Sequence, residues 1–359
     1  MAAFRIFGIS LLFTVAALAV GYAHGGAKDL FLLLVLAVLE VSLSFDNAII
    51  NAAILKRMSP FWRQMFLTIG ILVAVFGMRL LFPLLLVWAS AGIDPVRAME
   101  LALHPPPHGA LEFPDGSPSY EKLIISAHPQ IAAFGGTFLL ALFLDFIVYD
   151  RDIKWLKWIE VPFARIGRLG QVSVAMVVVA LVLVGTLLTH SGDERATVLT
   201  AGLMGLVTYL VVNGLSRAFR PPGVEAATAG MAVGKAGLTL FLYLEVLDAA
   251  FSFDGVTGAF AITSDPIIIA LGLGLIGSMF VRSITIYLVQ QEALDRYVYL
   301  EHGAHWAIGA LAVIMLLSVE PRFQVPEAAT ASVGVVFVGA ALGWSVLRNR
   351  RNARSAALS

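Results

Sequence analysis

Residues 30–55 read LFLLLVLAVLEVSLSFDNAIINAAIL, an apolar run whose only charges are Glu40 and Asp46. About twenty apolar residues suffice for a helix to cross the hydrocarbon core of a bilayer, so this stretch predicts a membrane span. It also predicts that two acids sit inside that span, where a charge costs roughly 2.5–3.5 kcal/mol even on the lenient insertion scale. The rest of the chain extends the first prediction. It is 59% hydrophobic and 13% charged, against about 25% charged in ordinary soluble domains. In lipid only helices and closed barrels satisfy the backbone, and runs this long exceed barrel strands. The expected fold is an all-α polytopic transmembrane helical bundle.

Ten spans are expected, at about 6–23, 30–55, 64–89, 129–149, 171–190, 196–215, 236–262, 266–290, 303–319 and 331–347. Lys and Arg near span ends favour the cytoplasm. With the N-terminus and Arg5 inside, the basic groups Lys56/Arg57/Arg63, Arg151/Lys154/Lys157/Arg165/Arg168, Arg217/Arg220 and Arg296 all fall on the cytoplasmic side. The basic tail 348–359 joins them, so both termini are expected there. The loops 191–195, 263–266 and 91–128 are expected outside. Residues 1–359 thus read as one integral membrane domain. The first span also has the layout of a cleavable signal peptide, with Arg5, an apolar core and small residues at 23–27. Segment 151–168, with Trp155 and Trp158 among basic residues, reads either as an interfacial amphipathic helix or as a charged connector.

Composition excludes several chemistries. Net charge is zero and no basic patch points to nucleic acid. The absence of cysteine removes disulfides, thiolate metal sites and iron–sulfur clusters. The seven histidines lie outside or at the ends of the apolar runs, so a metal within the membrane would need oxygen ligands. Residues 230–235, GMAVGK, miss the phosphate-binding loop in spacing and lack the following Ser or Thr. No enzymatic activity and no covalently bound cofactor is expected.

The first motif has a counterpart. LEVSLSFDNAIINAAIL (39–55) aligns with LEVLDAAFSFDGVTGAFAIT (244–263), placing Ser44, Phe45 and Asp46 over Ser252, Phe253 and Asp254. Glu40 then falls on Asp248. Each following span carries a deep arginine, Arg79 or Arg282. On the expected topology the two copies run in opposite directions, as in transporters built from inverted repeats around a midplane site. The repeats are expected at about 28–150 and 234–320.

Five acids (Glu40, Asp46, Glu245, Asp248 and Asp254) face two charge-compensating arginines, leaving a surplus that must bind protons or a cation. At about 100° per residue, Glu40, Ser44, Asn47 and Asn51 form one polar stripe, and Glu245, Asp248 and Ser252 form another. Asp46 and Asp254 lie about 120° away, so a kink near Ser-Phe-Asp is expected, with Gly255 and Gly258 permitting it in the second copy. Carboxylates with Asn47, Asn51, Ser44 and Ser252 offer hard oxygen ligands suited to manganese or calcium, and less to magnesium. Asp145 reads either as an ion guide or as an interfacial acid. Gly272, Gly274 and Gly277 read as helix-packing residues.

These motifs, together with FGGTFLLALFLDFIVYDRDIKWLKWIE at 134–160, resemble the TerC family of tellurium-resistance membrane proteins. The likeness is greatest to a bacterial branch described as a domain of unknown function, which implies the bacterial inner membrane. The family belongs with the LysE-type transporters, and several members are associated with manganese export. The resemblance implies divalent-cation transport, with Glu40, Asp46, Asn47, Asp248 and Asp254 at the matching positions. Gly255 replaces the counterpart of Asn47, and Glu245 adds a carboxylate one turn earlier. The partners implied are divalent metal ions as substrate, membrane lipid, and protons as the coupling ion. The rival readings are a LysE-like exporter of a small organic solute, a non-transporting scaffold in a metal or tellurite stress-resistance complex, and an intramembrane aspartic hydrolase.

Overall fold

The computed structural model describes residues 2–43, 45–70, 72–73, 94–104, 106, 110–167, 171–218, 232–262, 265–291 and 293–356. These residues form helices and no strand, with isolated bridges at Met58–Ala232 and Glu112–Pro118. The helices are α1 (Ala2–Leu43), α2 (Phe45–Leu55), α3 (Pro60–Met65), α4 (Pro95–Leu103), α5 (Tyr120–Val148), α6 (Lys157–Gly167) and α7 (Val172–Leu187). They continue with α8 (Gly192–Ala218), α9 (Gly234–Ile262), α10 (Pro266–Ile269), α11 (Ser278–Gln290), α12 (Ala293–Arg296), α13 (Leu300–Leu317) and α14 (Glu327–Ala356). Two π-helical segments interrupt this pattern: Phe66–Gly70 follows α3, and Ala270–Gly277 joins α10 to α11.

Five of these stretches are long and apolar enough to cross a membrane: Ile6–Val38, Tyr120–Val148, Ile267–Gln290, Leu300–Leu317 and Ser332–Asn352. A helix lies at every expected span except 64–89, of which 74–89 fall outside the described residues. The chain is a multi-pass membrane protein. Large apolar side chains on its outer faces, among them Leu12, Val15, Phe31, Leu187 and Val336, are exposed, as a lipid-facing surface requires.

The first two spans form one long element broken at Gly25 and Gly26, where Gly26 takes φ 70°. A left-handed residue without a Cβ reverses the chain there at low cost. The first span is bound into the bundle: Ser10 Oγ donates to the Met279 carbonyl at 2.6 Å and lies 2.6 Å from Ser283 Oγ. Beyond the break, α1 runs alongside the second π-helical segment in the same direction. Leu33 and Leu36 pack on Gly272, and Glu40 packs on Gly277. That parallel course matches the expectation that spans 30–55 and 266–290 enter from the same side.

α5 is the centre of the core, with Phe138 and Leu139 fully buried, and it packs against α8 and α13. It begins nine residues before the expected span because Ser119 caps it, accepting the Lys122 N–H at 3.1 Å with Glu121 in the first turn. Asp145 is tied down by the Tyr209 hydroxyl at 2.9 Å and Asn213 Nδ2 at 3.3 Å.

Of the segment 151–168, residues 151–156 are irregular with bends and 157–167 form α6, with Trp158 exposed. Its acid Glu160 is buried and accepts from the Trp155 N–H (3.0 Å), the Leu156 N–H (3.1 Å) and Trp306 Nε1 (3.2 Å). The His302 imidazole lies 3.4 Å away. Glu160 therefore locks the segment onto α13. Replacing it with Ala leaves buried donors unpaired, and the expected loss is about 1–3 kcal/mol, read as a fall in unfolding temperature in detergent. An unchanged midpoint would show that the segment is held by other contacts.

Candidate functional site

The first acidic motif lies at the α1–α2 junction and the second in the middle of α9. Glu40, Asn47, Asn51, Glu245 and Asp248 are all at least 96% buried. Asn47 Nδ2 donates to Asp248 Oδ1 at 2.8 Å, so the two motifs, 201 residues apart, meet directly. Glu245 lies one turn before Asp248 on the same helix. Both oxygens of Glu245, Oδ2 of Asp248 and Oδ1 of Asn51 have no hydrogen-bond partner among the described residues. Buried oxygens without a partner cost about 1–3 kcal/mol each, and more when charged, so this cluster is a poor structural device.

Each π-helical segment brings its last glycine against an acid of the other motif. A Cβ at position 277 would fall 2.1 Å from Glu40 Cγ, and one at position 70 would fall 2.7 Å from Glu245 Oε1. The π segments widen the helix by one residue per turn and occur mainly where a helix has been re-aimed, often at functional sites. Gly272, packed on Leu36 Cβ, is the helix-packing residue expected from sequence. Gly277 lies against the Glu40 side chain, which any Cβ there would force to move. Sequence reasoning missed Gly70 and Gly277 as site residues.

In the first copy the kink expected near Ser-Phe-Asp falls on Ser44, between α1 and α2 and outside the described residues. In the second copy α9 is helical without a break from Gly234 to Ile262. After each motif the backbone is π-helical, at Phe66–Gly70 and at Ala270–Gly277.

Arg282 Nε donates to the carbonyl of Leu67 within the first π-helical segment, at 2.9 Å. No ion pair joins it to a carboxylate among the described residues. Its charge sits against a π-turn carbonyl from the other half of the chain, and this cross-link ties α11 to the segment that ends at Gly70. Thr285 on α11 lies 3.5 Å from the Ala48 carbonyl on α2. Of the other expected site residues, Ser44 and Arg79 lie outside the described residues, as do the side chains of Asp46, Ser252 and Asp254.

Glu245 and Asp248 with Asn47 and Asn51 offer two carboxylates and two carboxamides in an apolar interior, all hard oxygen donors, and Glu40 is buried nearby on the first motif against Gly277. Residues 45–352 match the family described as Protein of unknown function (DUF475), and the chain belongs to that family. No curated protein and no solved structure matches the chain.

Proposed function

We propose that this DUF475 protein is a secondary transporter that exports a divalent metal cation, with manganese the favoured substrate. What carries the reading is the meeting of two acidic motifs in the interior, where Glu245, Asp248 and Asn51 keep oxygens without partners among the described residues. A divalent cation supplies the charge and the bonds those oxygens lack. Hard oxygen donors with adaptable side chains favour manganese or calcium over magnesium, which dehydrates reluctantly. Buried carboxylates without countercharge hold either a proton or a cation, so exchange of one for the other is the coupling we assign. The resemblance to the TerC family supports the same class of substrate. The placement of basic residues supports cytoplasmic termini, and the resemblance to a bacterial branch supports the bacterial inner membrane.

The test is manganese flux in proteoliposomes of the full-length protein, followed by a trapped metal indicator under an imposed pH gradient. The expected result is manganese movement that the gradient accelerates and that excess lysine or arginine leaves unchanged. Competition by the amino acids would move the assignment to an organic-solute exporter. Absence of flux for any divalent ion would overturn transport and favour a scaffold.

A further inference from the structure

Outside the midplane cluster, a second group of metal-binding side chains gathers at the far end of the same helix seam. His24 Nδ1 lies 2.9 Å from Asp29 Oδ2 and 3.7 Å from Asp265 Oδ2, and one ligand atom from each of the three lies within 4.8 Å of the others. His24 and Asp29 flank the Gly25–Gly26 break of α1, and Asp265 precedes α10, so both halves of the chain contribute.

Each residue is held for this arrangement. The Gly25 backbone folds over Asp29 so closely that a Cβ at Gly25 would fall 2.0 Å from Asp29 Oδ2. Asp29 is accordingly 9% exposed while its carboxylate still faces His24. Asp265 uses Oδ1 to cap its helix, accepting from the Ile267 N–H (2.8 Å) and the Ile268 N–H (3.3 Å), which leaves Oδ2 turned to the imidazole.

The separations fit a coordination sphere. A cation held by bonds of about 2.1 Å places adjacent ligands about 3.0 Å apart in octahedral geometry and about 3.4 Å apart in tetrahedral geometry. The two His24 distances bracket those values. Charge points the same way: a proton on His24 would neutralise one of the two carboxylates, whereas a divalent cation neutralises both. One imidazole with two carboxylates suits first-row transition ions rather than magnesium or calcium, whose sites are built from oxygen alone.

We propose that His24, Asp29 and Asp265 form a second divalent-cation site, selective for transition metals over magnesium and calcium, at the end of the seam assigned to the outside. Asp29 and Glu40 stand eleven residues apart on α1, about 16 Å along a helix. Leu33, Leu36, Leu273 and Ile276 fill the interval and are buried to within 2%. The seam thus joins two polar sites across a buried apolar plug. The site's role as an outer station for the exported ion rests on the transport reading, whereas the binding itself does not.

The test uses the full-length protein in detergent with manganese as the probe, read by pulsed electron paramagnetic resonance for coupling to imidazole nitrogen and by calorimetry for stoichiometry. The expected result is a nitrogen-coupled manganese signal that persists in the Glu40→Gln/Asp248→Asn double variant. In His24→Ala, an exposed position, the coupling should vanish with at least a tenfold loss of affinity, and Asp265→Asn should weaken binding similarly. Zinc should displace manganese at lower concentration than manganese itself, and excess magnesium should not. A coupling unchanged in His24→Ala, no coupling in the wild type, or displacement by equimolar magnesium would each overturn the site. Loss of flux with the nitrogen signal intact would remove the transport reading and leave this site standing. Flux without the signal would do the reverse.

Discussion

Asp248→Asn is expected to reduce manganese flux in proteoliposomes by about 100-fold or more, while the protein stays folded. Loss of partners that merely orient metal ligands already costs about 10–100-fold, so loss of a charged ligand should reach the upper end of that range. Asparagine matches aspartate in shape and keeps Oδ1, the atom that accepts from Asn47 at 2.8 Å. What disappears is the charge, together with the Oδ2 that has no partner among the described residues. Removing an uncompensated charge from an apolar interior favours the folded state, so the unfolding temperature without metal should hold or rise. Protection by added manganese should shrink, since a ligand stabilises only in proportion to its affinity for the folded form. Activity and stability moving in opposite directions would mark Asp248 as a residue kept for function. Wild-type flux in this variant would remove Asp248 from the ion path.

The helical fold and the meeting of the two motifs were open to sequence reasoning for a simple reason. Lipid makes every buried charge conspicuous, and Glu40, Glu245 and Asp248 stand out against their apolar surroundings. Asn47 was legible as well, because it shares a helix face with Glu40. The break between the first two spans was written as Gly25-Gly26. The π-helical segments were not legible. Phe66–Gly70 and Ala270–Gly277 are composed like any other apolar stretch, and an extra residue in a turn leaves no periodic mark over five to eight positions. Arg282 was expected beside an acid because charge alone suggested it, yet a carbonyl exposed in a π turn proved an equally good acceptor. Glu160 illustrates the same limit: within a charged connector nothing signals that one carboxylate will be buried under Trp306. His24, Asp29 and Asp265 are ordinary loop-end residues until the fold brings them together.

Gly277→Ala is expected to lower flux by about 10–100-fold and to cost about 1–3 kcal/mol of stability, the range for overpacking a well-filled interior. The added Cβ would stand 2.1 Å from Glu40 Cγ and 3.0 Å from its carboxyl carbon, so either the acid or the helix must move. Gly70→Ala applies the same test from the other half of the chain: its Cβ would stand 2.7 Å from Glu245 Oε1 and 2.9 Å from Phe66 Cδ2, so both the acid and the ring must yield. Gly339→Ala is the control: nothing lies within 4 Å of a Cβ there, and helix propensity alone favours alanine by about 1 kcal/mol. A double-mutant cycle separates the proposed cause from general damage to the helix. In a Glu40→Ala background the clashing Cγ is absent, so Gly277→Ala should become nearly neutral in stability. For Gly70→Ala a Glu245→Ala background should remove only part of the cost, because the contact with Phe66 Cδ2 at 2.9 Å remains. If instead each alanine costs the same with and without its acid, the glycines serve the backbone rather than the carboxylates. The two π-helical segments would then have no part in placing the site.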